Sequence, residues 1–161
     1  PDSAGMQAAL NIQALVTNLT PDDLVVFLVS GGGSSLLTLP AKGISLDDKK
    51  ILNTKLLQCG ANIREMNCVR KHVSSIKGGR LAETIWPAQC VTLAISDIPG
   101  DDLSVIASGP MEPDETTFEE ALAILSKYHI DEPRSIIEFL TSNNPETPKP
   151  GNGFLKEFIP T

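Results

Sequence analysis

The sequence has little of what several common catalytic and metal sites require. It contains two histidines, one tryptophan, one tyrosine and three cysteines, with no Cys-x-x-Cys pair. A zinc centre or a Ser-His-Asp triad therefore has few residues from which it could be built. Cys59, Cys68 and Cys90 lie in apolar segments, so we expect reduced thiols packed inside the protein.

Basic residues and long apolar runs are also scarce. The 13 Lys and Arg residues against 20 Asp and Glu give a net charge of −7 and a pI near 4.7. This balance disfavours nucleic acid and anionic membranes as partners. No signal-peptide pattern or run long enough to span a bilayer occurs, so we predict a cytoplasmic location. The remaining composition, 41% hydrophobic and 20% charged over 161 residues, is typical of a globular domain.

The first informative stretch is the apolar run Leu24–Val29, which stops abruptly at a glycine-rich turn. Six β-favouring residues without alternation predict a strand buried on both faces of a parallel sheet. The turn that follows has free amides and hydroxyls that could donate to an anion, at Ser30, Gly31, Gly32, Gly33, Ser34 and Ser35. Walker A and dinucleotide motifs do not match, because no Gly-Lys-[Ser/Thr] occurs and Leu36 replaces the third glycine. The alternative is a plain turn with a serine helix cap.

A second stretch combines cations with glycines. A helix predicted over Asn67–Lys77 would bury Val69, Val73 and Ile76, and would present Arg70, Ser74 and Lys77 on the adjoining stripe. Gly78-Gly79 would end it, and a new helix over Arg80–Ile85 would add free amides beside Lys77. The alternative is that Lys77 and Arg80 only solvate helix ends and complement their dipoles.

A third stretch is a second predicted strand, Gln89–Ile95, followed by an acidic turn. Ligands of open α/β sheets gather at the carboxyl ends of strands. Asp97 and Asp101 flank a Pro-Gly bend and could converge on Mg²⁺, although ordinary turn chemistry explains them almost as well. Further helices are predicted over Ser3–Leu19, from Ser45 to near Gly60, over Leu103–Ala107, over Phe118–Tyr128 and from Pro133 to about Leu140.

Taken together, the ordered motifs resemble the glycerate kinases of the MOFRL-associated type, whose members often carry a hydroxypyruvate reductase name. The resemblance is carried by Pro1-Asp2, by residues 28–36, 60–67, 69–74, 76–82, 96–102 and 106–110, and by residues 146–151. It implies a three-layer α/β/α, Rossmann-like domain with a mostly parallel sheet, incomplete in this chain. Residues 1–141 would be part of that domain, and residues 142–161 an irregular Pro/Gly-rich segment leading to a C-terminal part.

The resemblance also implies an activity, ATP- and Mg²⁺-dependent phosphoryl transfer to a hydroxyl of D-glycerate. An upstream lysine segment and a C-terminal MOFRL domain would complete the site, so this chain alone is expected to be inactive; a homodimer is compatible with the sequence. Lys77, Asp97 and Arg70 are the expected catalytic residues, with Asp97 and Asp101 as metal ligands. The expected binding residues are Ser30, Gly31, Gly32, Gly33, Ser34, Ser35, Asn67, Lys71, Ser74, Gly78, Gly79, Arg80, Ser108 and Gly109.

Two other functions remain open. One is a non-catalytic anion-binding module that keeps the loops without the chemistry. The other is an NAD(P)H-dependent hydroxypyruvate reductase, which the incomplete dinucleotide motif and the absence of an acidic residue ending a following strand disfavour.

Overall fold

The structure, a computed structural model, describes residues 1–96, 98 and 100–152. Along the chain lie α1 (Ser3–Leu15), β1 (Leu24–Ser30), α2 (Gly33–Leu36), α3 (Leu46–Gln58), α4 (Ile63–His72), α5 (Arg80–Ile85) and β2 (Gln89–Ile95). They are followed by a short 3₁₀ turn, η1 (Ile106–Ser108), and by α6 (Phe118–Lys127) and α7 (Arg134–Thr141). From 142 to 152 the chain has no helix or strand.

The two strands form a parallel sheet in which Leu24 pairs with Gln89 and Ser30 with Ile95. Parallel neighbours need a long crossover, and α2 to α5 lie in that connection. The predicted α/β class with a parallel sheet is therefore confirmed. The carboxyl ends of both strands meet at one edge, which brings the glycine-rich turn and the start of the acidic turn to the same side of the sheet.

The sheet is covered on one face only within the described residues. Val25, Phe27 and Cys90 pack against a core that includes Ala9 of α1 and Ile85 of α5. The opposite face exposes an apolar set consisting of Leu24, Val26, Leu28, Val91, Leu93 and Ile95. The expectation that β1 is buried on both faces is thus wrong for this chain, because no described element lies over the second face.

A second core joins the helices away from the sheet. Leu52 and Leu56 of α3 pack with Val69 of α4, and α6 and α7 close this core with Leu125 and Ile136. Two of the helices in this core begin at a capping box. In this motif the side chains of the N-cap residue and of the residue three positions later each accept from the other's backbone amide. Asn62 and Glu65 cap α4, and Thr117 and Glu120 cap α6.

The helix predicted over Asn67–Lys77 is shorter at its C-terminal end than the pattern indicated. It ends at His72, because Ser74 leaves the helix to pair with Pro40 in an isolated bridge. The Ser74 hydroxyl then accepts hydrogen bonds from the amides of Ile76 and Lys77, each at 3.3 Å. The stripe of Arg70, Ser74 and Lys77 therefore does not form on one helix.

Candidate functional site

The glycine-rich turn lies where the sequence predicted it, at the carboxyl end of β1. Gly33 approaches η1 so closely that a Cβ there would lie 2.8 Å from the Cβ of Ala107. The structure records no hydrogen bond from the amides of Gly32 and Gly33 to any described residue. Ser34 is half-buried and Ser35 is exposed. The turn therefore keeps donors available at the strand end, as an anion cradle requires.

Lys77 contacts the carbonyls of this turn and of the neighbouring 3₁₀ turn. Its ammonium group donates to the carbonyls of Ala107 at 2.8 Å, Ser34 at 3.1 Å and Gly33 at 3.3 Å. The side chain is 1% exposed. Burial, followed by the charges of Lys49 and Arg70, lowers the pKa of Lys77 well below its usual value. Because all three ammonium N–H groups have protein acceptors here, Lys77 acts in this arrangement as a residue that positions the glycine-rich turn.

Residues 107–110 are fastened to residues 77–82 along their backbones. Ala107, Ser108 and Gly109 have consecutive left-handed φ angles of 53°, 62° and 58°. Such angles are strained for Ala and Ser and persist only where the surroundings enforce them. The amide of Gly78 donates to the carbonyl of Ser108 at 3.2 Å, and that of Gly79 to the carbonyl of Gly109 at 2.8 Å. The amides predicted to face an anion at Gly78 and Gly79 therefore hold this strained turn.

A cleft of about 490 Å³ opens between α4 and the segment from Asp102 to Thr116. Asn67 and Lys71, two of the predicted binding residues, line it from α4. Asn67 is 5% exposed; its Oδ1 accepts from the Ser108 hydroxyl at 3.4 Å, and its Nδ2 has no partner among the described residues. A buried donor without a partner is uncommon in proteins and marks Asn67 as available to a ligand.

A buried polar network beside the cleft was not foreseen. Asp114 is fully buried and accepts hydrogen bonds from the Thr116 hydroxyl at 2.7 Å and the Thr147 hydroxyl at 3.1 Å. Lys71 lies 3.5 Å from the same carboxylate. The amide of Asp114 donates to the carbonyl of Pro148 at 2.8 Å. The network therefore connects residues 147–148 to the cleft. It also pairs Lys71 with a carboxylate, whereas the sequence analysis expected Lys71 to bind an anionic ligand.

Glu146 extends this attachment. Its carboxylate accepts from the amide of Phe118 at 2.7 Å and lies 3.1 Å from Nε2 of the buried His72. Burial raises the pKa of Glu146, but the Phe118 amide and Lys149 outweigh that effect, so the pKa is lowered overall. The irregular segment after α7 is thus held against the rest of the chain by hydrogen bonds of Glu146 and Thr147. In the sequence, the one indication of a role for this segment is that residues 146–151 form one of the motifs that carry the family resemblance.

The other predicted residues are placed as follows. Ser74 is buried and donates to the carbonyl of Leu39 at 3.1 Å. Arg80 donates through Nη2 to the carbonyl of Pro145 at 3.2 Å. Asp101 is exposed, and Asp97 lies outside the described residues. Among the residues that the structure describes, no group of three His, Cys, Asp or Glu side chains could hold a metal ion.

A cation cluster borders Lys77. Arg70 is half-buried, and its Nε donates to Oδ1 of Asn53 at 3.1 Å. Lys49, which the sequence analysis did not single out, is 3% exposed, and its ammonium has no partner among the described residues. Burial, followed by the charge of Arg70, lowers the pKa of Lys49 to about 8. Lys49 was missed because lysines on amphipathic helices usually face solvent.

The fold and these features define a class: a partial, parallel α/β domain with a glycine-rich turn at the carboxyl end of β1 and a buried lysine that contacts this turn. Comparison with known proteins specifies the class further. A family profile described as a domain of unknown function, DUF4147, matches residues 1–141. The chain belongs to this family.

Curated relatives match most of the length of this chain. The chain is 47% identical to the D-glycerate 2-kinase of Thermotoga maritima, over 92% of the chain and 35% of that relative. It is 55% identical to a protein of Agrobacterium vitis that carries a provisional hydroxypyruvate reductase name, over 94% of the chain and 34% of that relative. The chain thus spans about a third of the length of the curated relatives it matches.

Solved structures agree with these relatives. The glycerate kinase of Thermotoga maritima superposes with a TM-score of 0.87 at 47% identity, over 92% of this chain and 35% of that one. A protein of Pyrococcus horikoshii superposes with a TM-score of 0.88 at 42% identity, with the same coverage. The resemblance inferred from the motifs is confirmed, and the chain is a partial domain of the glycerate kinase type. No helix in the described part of the chain is long and apolar enough to cross a membrane.

Proposed function

We propose that this chain supplies the glycine-rich half of a phosphoryl-transfer site in a cytoplasmic kinase that acts on D-glycerate with ATP. The observation that carries this proposal is the match, over 92% of the chain, to a Thermotoga maritima protein that is itself named D-glycerate 2-kinase. That name makes the hydroxyl at C2 the favoured acceptor. The site geometry supports the proposal independently, since phosphoryl transfer depends mainly on positioning and on neutralising negative charge.

The residues present fit an oxyanion of the substrate or nucleotide. The amides of Gly32 and Gly33 and the Nδ2 of Asn67, which have no partner among the described residues, are donors, as is the Ser35 hydroxyl. Phosphate and carboxylate oxygens require such donors. Lys77 contacts the carbonyls of Gly33 and Ser34 in the turn, and the charge of Arg70 acts on Lys77. These groups would bind and orient the anionic parts of the reactants.

The fit to Mg²⁺ is weaker. Kinases commonly hold Mg²⁺ with one or two carboxylates and with phosphate oxygens. Asp101 is the described residue proposed for this role, together with Asp97, and no described acidic cluster could hold the ion alone. We propose that the rest of the natural polypeptide, including the MOFRL domain that the resemblance implies, completes the site.

A coupled assay tests this function. The 161-residue chain and the full natural polypeptide that carries it would each be supplied with ATP, Mg²⁺ and D-glycerate, and ADP release would be followed. We expect turnover in the full polypeptide and none in the isolated chain. Oxidation of NADH with hydroxypyruvate, without ADP release, would instead favour the reductase that the Agrobacterium vitis name indicates. Anion binding without either reaction would favour a non-catalytic module.

A further inference from the structure

Lys49 lies in an environment that is unfavourable for a lysine. Its side chain is 3% exposed, and its ammonium group has no hydrogen-bond partner in the described part of the chain. Other buried lysines here are compensated, Lys77 by three carbonyls and Lys71 by Asp114. A buried charge without a partner destabilises a fold and is retained chiefly where a function requires it.

The surroundings of Lys49 place a second cation beside it. Lys49 and Asn53 are one turn apart on α3 and so share a face of that helix. Asn53 Oδ1 accepts the hydrogen bond from Nε of Arg70 at 3.1 Å, which fixes the guanidinium of α4 against this face. The charge of Arg70 acts on Lys49, and the charges of both act on Lys77.

Acidic side chains do not neutralise this pair. Within the described residues, neither Lys49 nor Arg70 lies within 4.0 Å of a carboxylate oxygen, whereas the neighbouring Lys50 pairs with Asp47 at 3.3 Å. Arg70 is only half-buried, so its outer N–H groups can reach a ligand, while Lys49 lies deeper. The result is a local excess of positive charge close to Lys77, the residue that contacts the glycine-rich turn, in a protein whose net charge is −7.

We propose that Lys49 and Arg70 form an oxyanion subsite for a small-molecule reactant, in which Arg70 donates hydrogen bonds to a carboxylate or phosphate group and Lys49 adds charge from behind. Lys49 is thus a positioning residue that acts through Arg70. The identity of the reactants rests on the proposed function, whereas the subsite itself rests on the contacts of α3 and α4. Two oxyanions fit it, the carboxylate of D-glycerate and a phosphate of the nucleotide.

The experiment is calorimetric titration of the full natural polypeptide with three probes used separately: D-glycerate, ATP and inorganic phosphate. The variant is Lys49→Met, which removes the charge and keeps an unbranched side chain only one atom shorter. The control is Lys50→Met, the adjacent lysine whose side chain is 44% exposed. We expect Lys49→Met to weaken at least one probe fivefold or more and Lys50→Met to stay within twofold of wild type. Loss for D-glycerate alone identifies the carboxylate, and loss for ATP and phosphate identifies a phosphate group.

A stability measurement separates this role from a structural one. The thermal midpoint of the ligand-free Lys49→Met variant is expected to equal or exceed that of wild type while its affinity falls, which loss of packing would not produce. Lys49→Arg, which restores the charge, should recover most of the affinity, and Arg70→Gln should weaken the same probe tenfold or more. Affinities within twofold of wild type for all three probes in both Lys49→Met and Arg70→Gln would overturn the proposal.

The outcome is independent of the kinase assay. Loss of phosphate affinity in Lys49→Met without any D-glycerate-dependent ADP release would support the subsite and reject the proposed function. Full kinase activity with unchanged affinities in both variants would support the function and reject the subsite.

Discussion

Removal of the Lys49 charge is predicted to stabilise the ligand-free protein, and by an amount that depends on pH. The difference between an ordinary lysine pKa of 10.5 and one of about 8 corresponds to about 3 kcal/mol of unfolding free energy. The folded state binds this proton more weakly than the unfolded state does. The loss of unfolding free energy caused by the Lys49 charge is therefore fully present below pH 8 and declines as the pH rises above 8. It is gone above pH 10.5, the pKa of the lysine in the unfolded state.

The assay is urea denaturation of wild type, Lys49→Met and Lys50→Met between pH 7 and pH 10.5, without ligand. At pH 7 Lys49→Met is expected to be more stable than wild type by up to about 3 kcal/mol, and the gap should close towards pH 10.5. Lys50→Met should follow wild type throughout, because Lys50 is exposed. A Lys49→Met variant that is less stable than wild type at pH 7, or a gap that does not change with pH, would refute the reasoning.

Three further predictions concern the site's framework. Asp114→Ala should destabilise the protein by about 3–5 kcal/mol in urea denaturation, since it leaves the buried Lys71 and two hydroxyl donors without their acceptor; a loss below about 1 kcal/mol would contradict the network. Gly79→Ala should lower the unfolding free energy by at least about 1 kcal/mol more than Gly43→Ala in the same assay. Both glycines have a left-handed φ, but only a Cβ at Gly79 would meet a backbone oxygen, at 2.9 Å. Equal losses of stability in the two variants would contradict this prediction. Lys77→Met should speed hydrogen exchange in residues 31–37 severalfold, and unchanged exchange there would show that Lys77 does not hold the turn.

The sequence was sufficient for the elements with strong local signals. The strand over Gln89–Ile95 and the helix over Arg80–Ile85 were predicted with the observed bounds, because apolar runs and flanking Gly and Pro residues mark both ends. The α4 boundaries were less accurate. Its start depends on the Asn62 and Glu65 capping box, and its end on a tertiary pairing between Ser74 and Pro40 that helical periodicity cannot reveal.

The site was harder to predict than the fold. The glycine-rich turn, Asn67 and Lys71 could be proposed from their motifs, but the partners that decide what each cation does could not. Lys77 contacts carbonyls 30 or more positions away in sequence, and Asp114 meets Thr147 across 33 positions. Lys49 looked like an ordinary surface lysine, because its 3% exposure results from tertiary packing that the local sequence does not show.

The measurement that tests the central claim most directly is ³¹P NMR of the full natural polypeptide incubated with ATP, Mg²⁺ and D-glycerate. The account predicts a new phosphomonoester resonance, from glycerate phosphorylated at C2, that grows in step with ADP and is absent without D-glycerate. ADP that appears without phosphoglycerate, or no consumption of ATP by a folded protein, would contradict the assignment of this domain to glycerate phosphorylation.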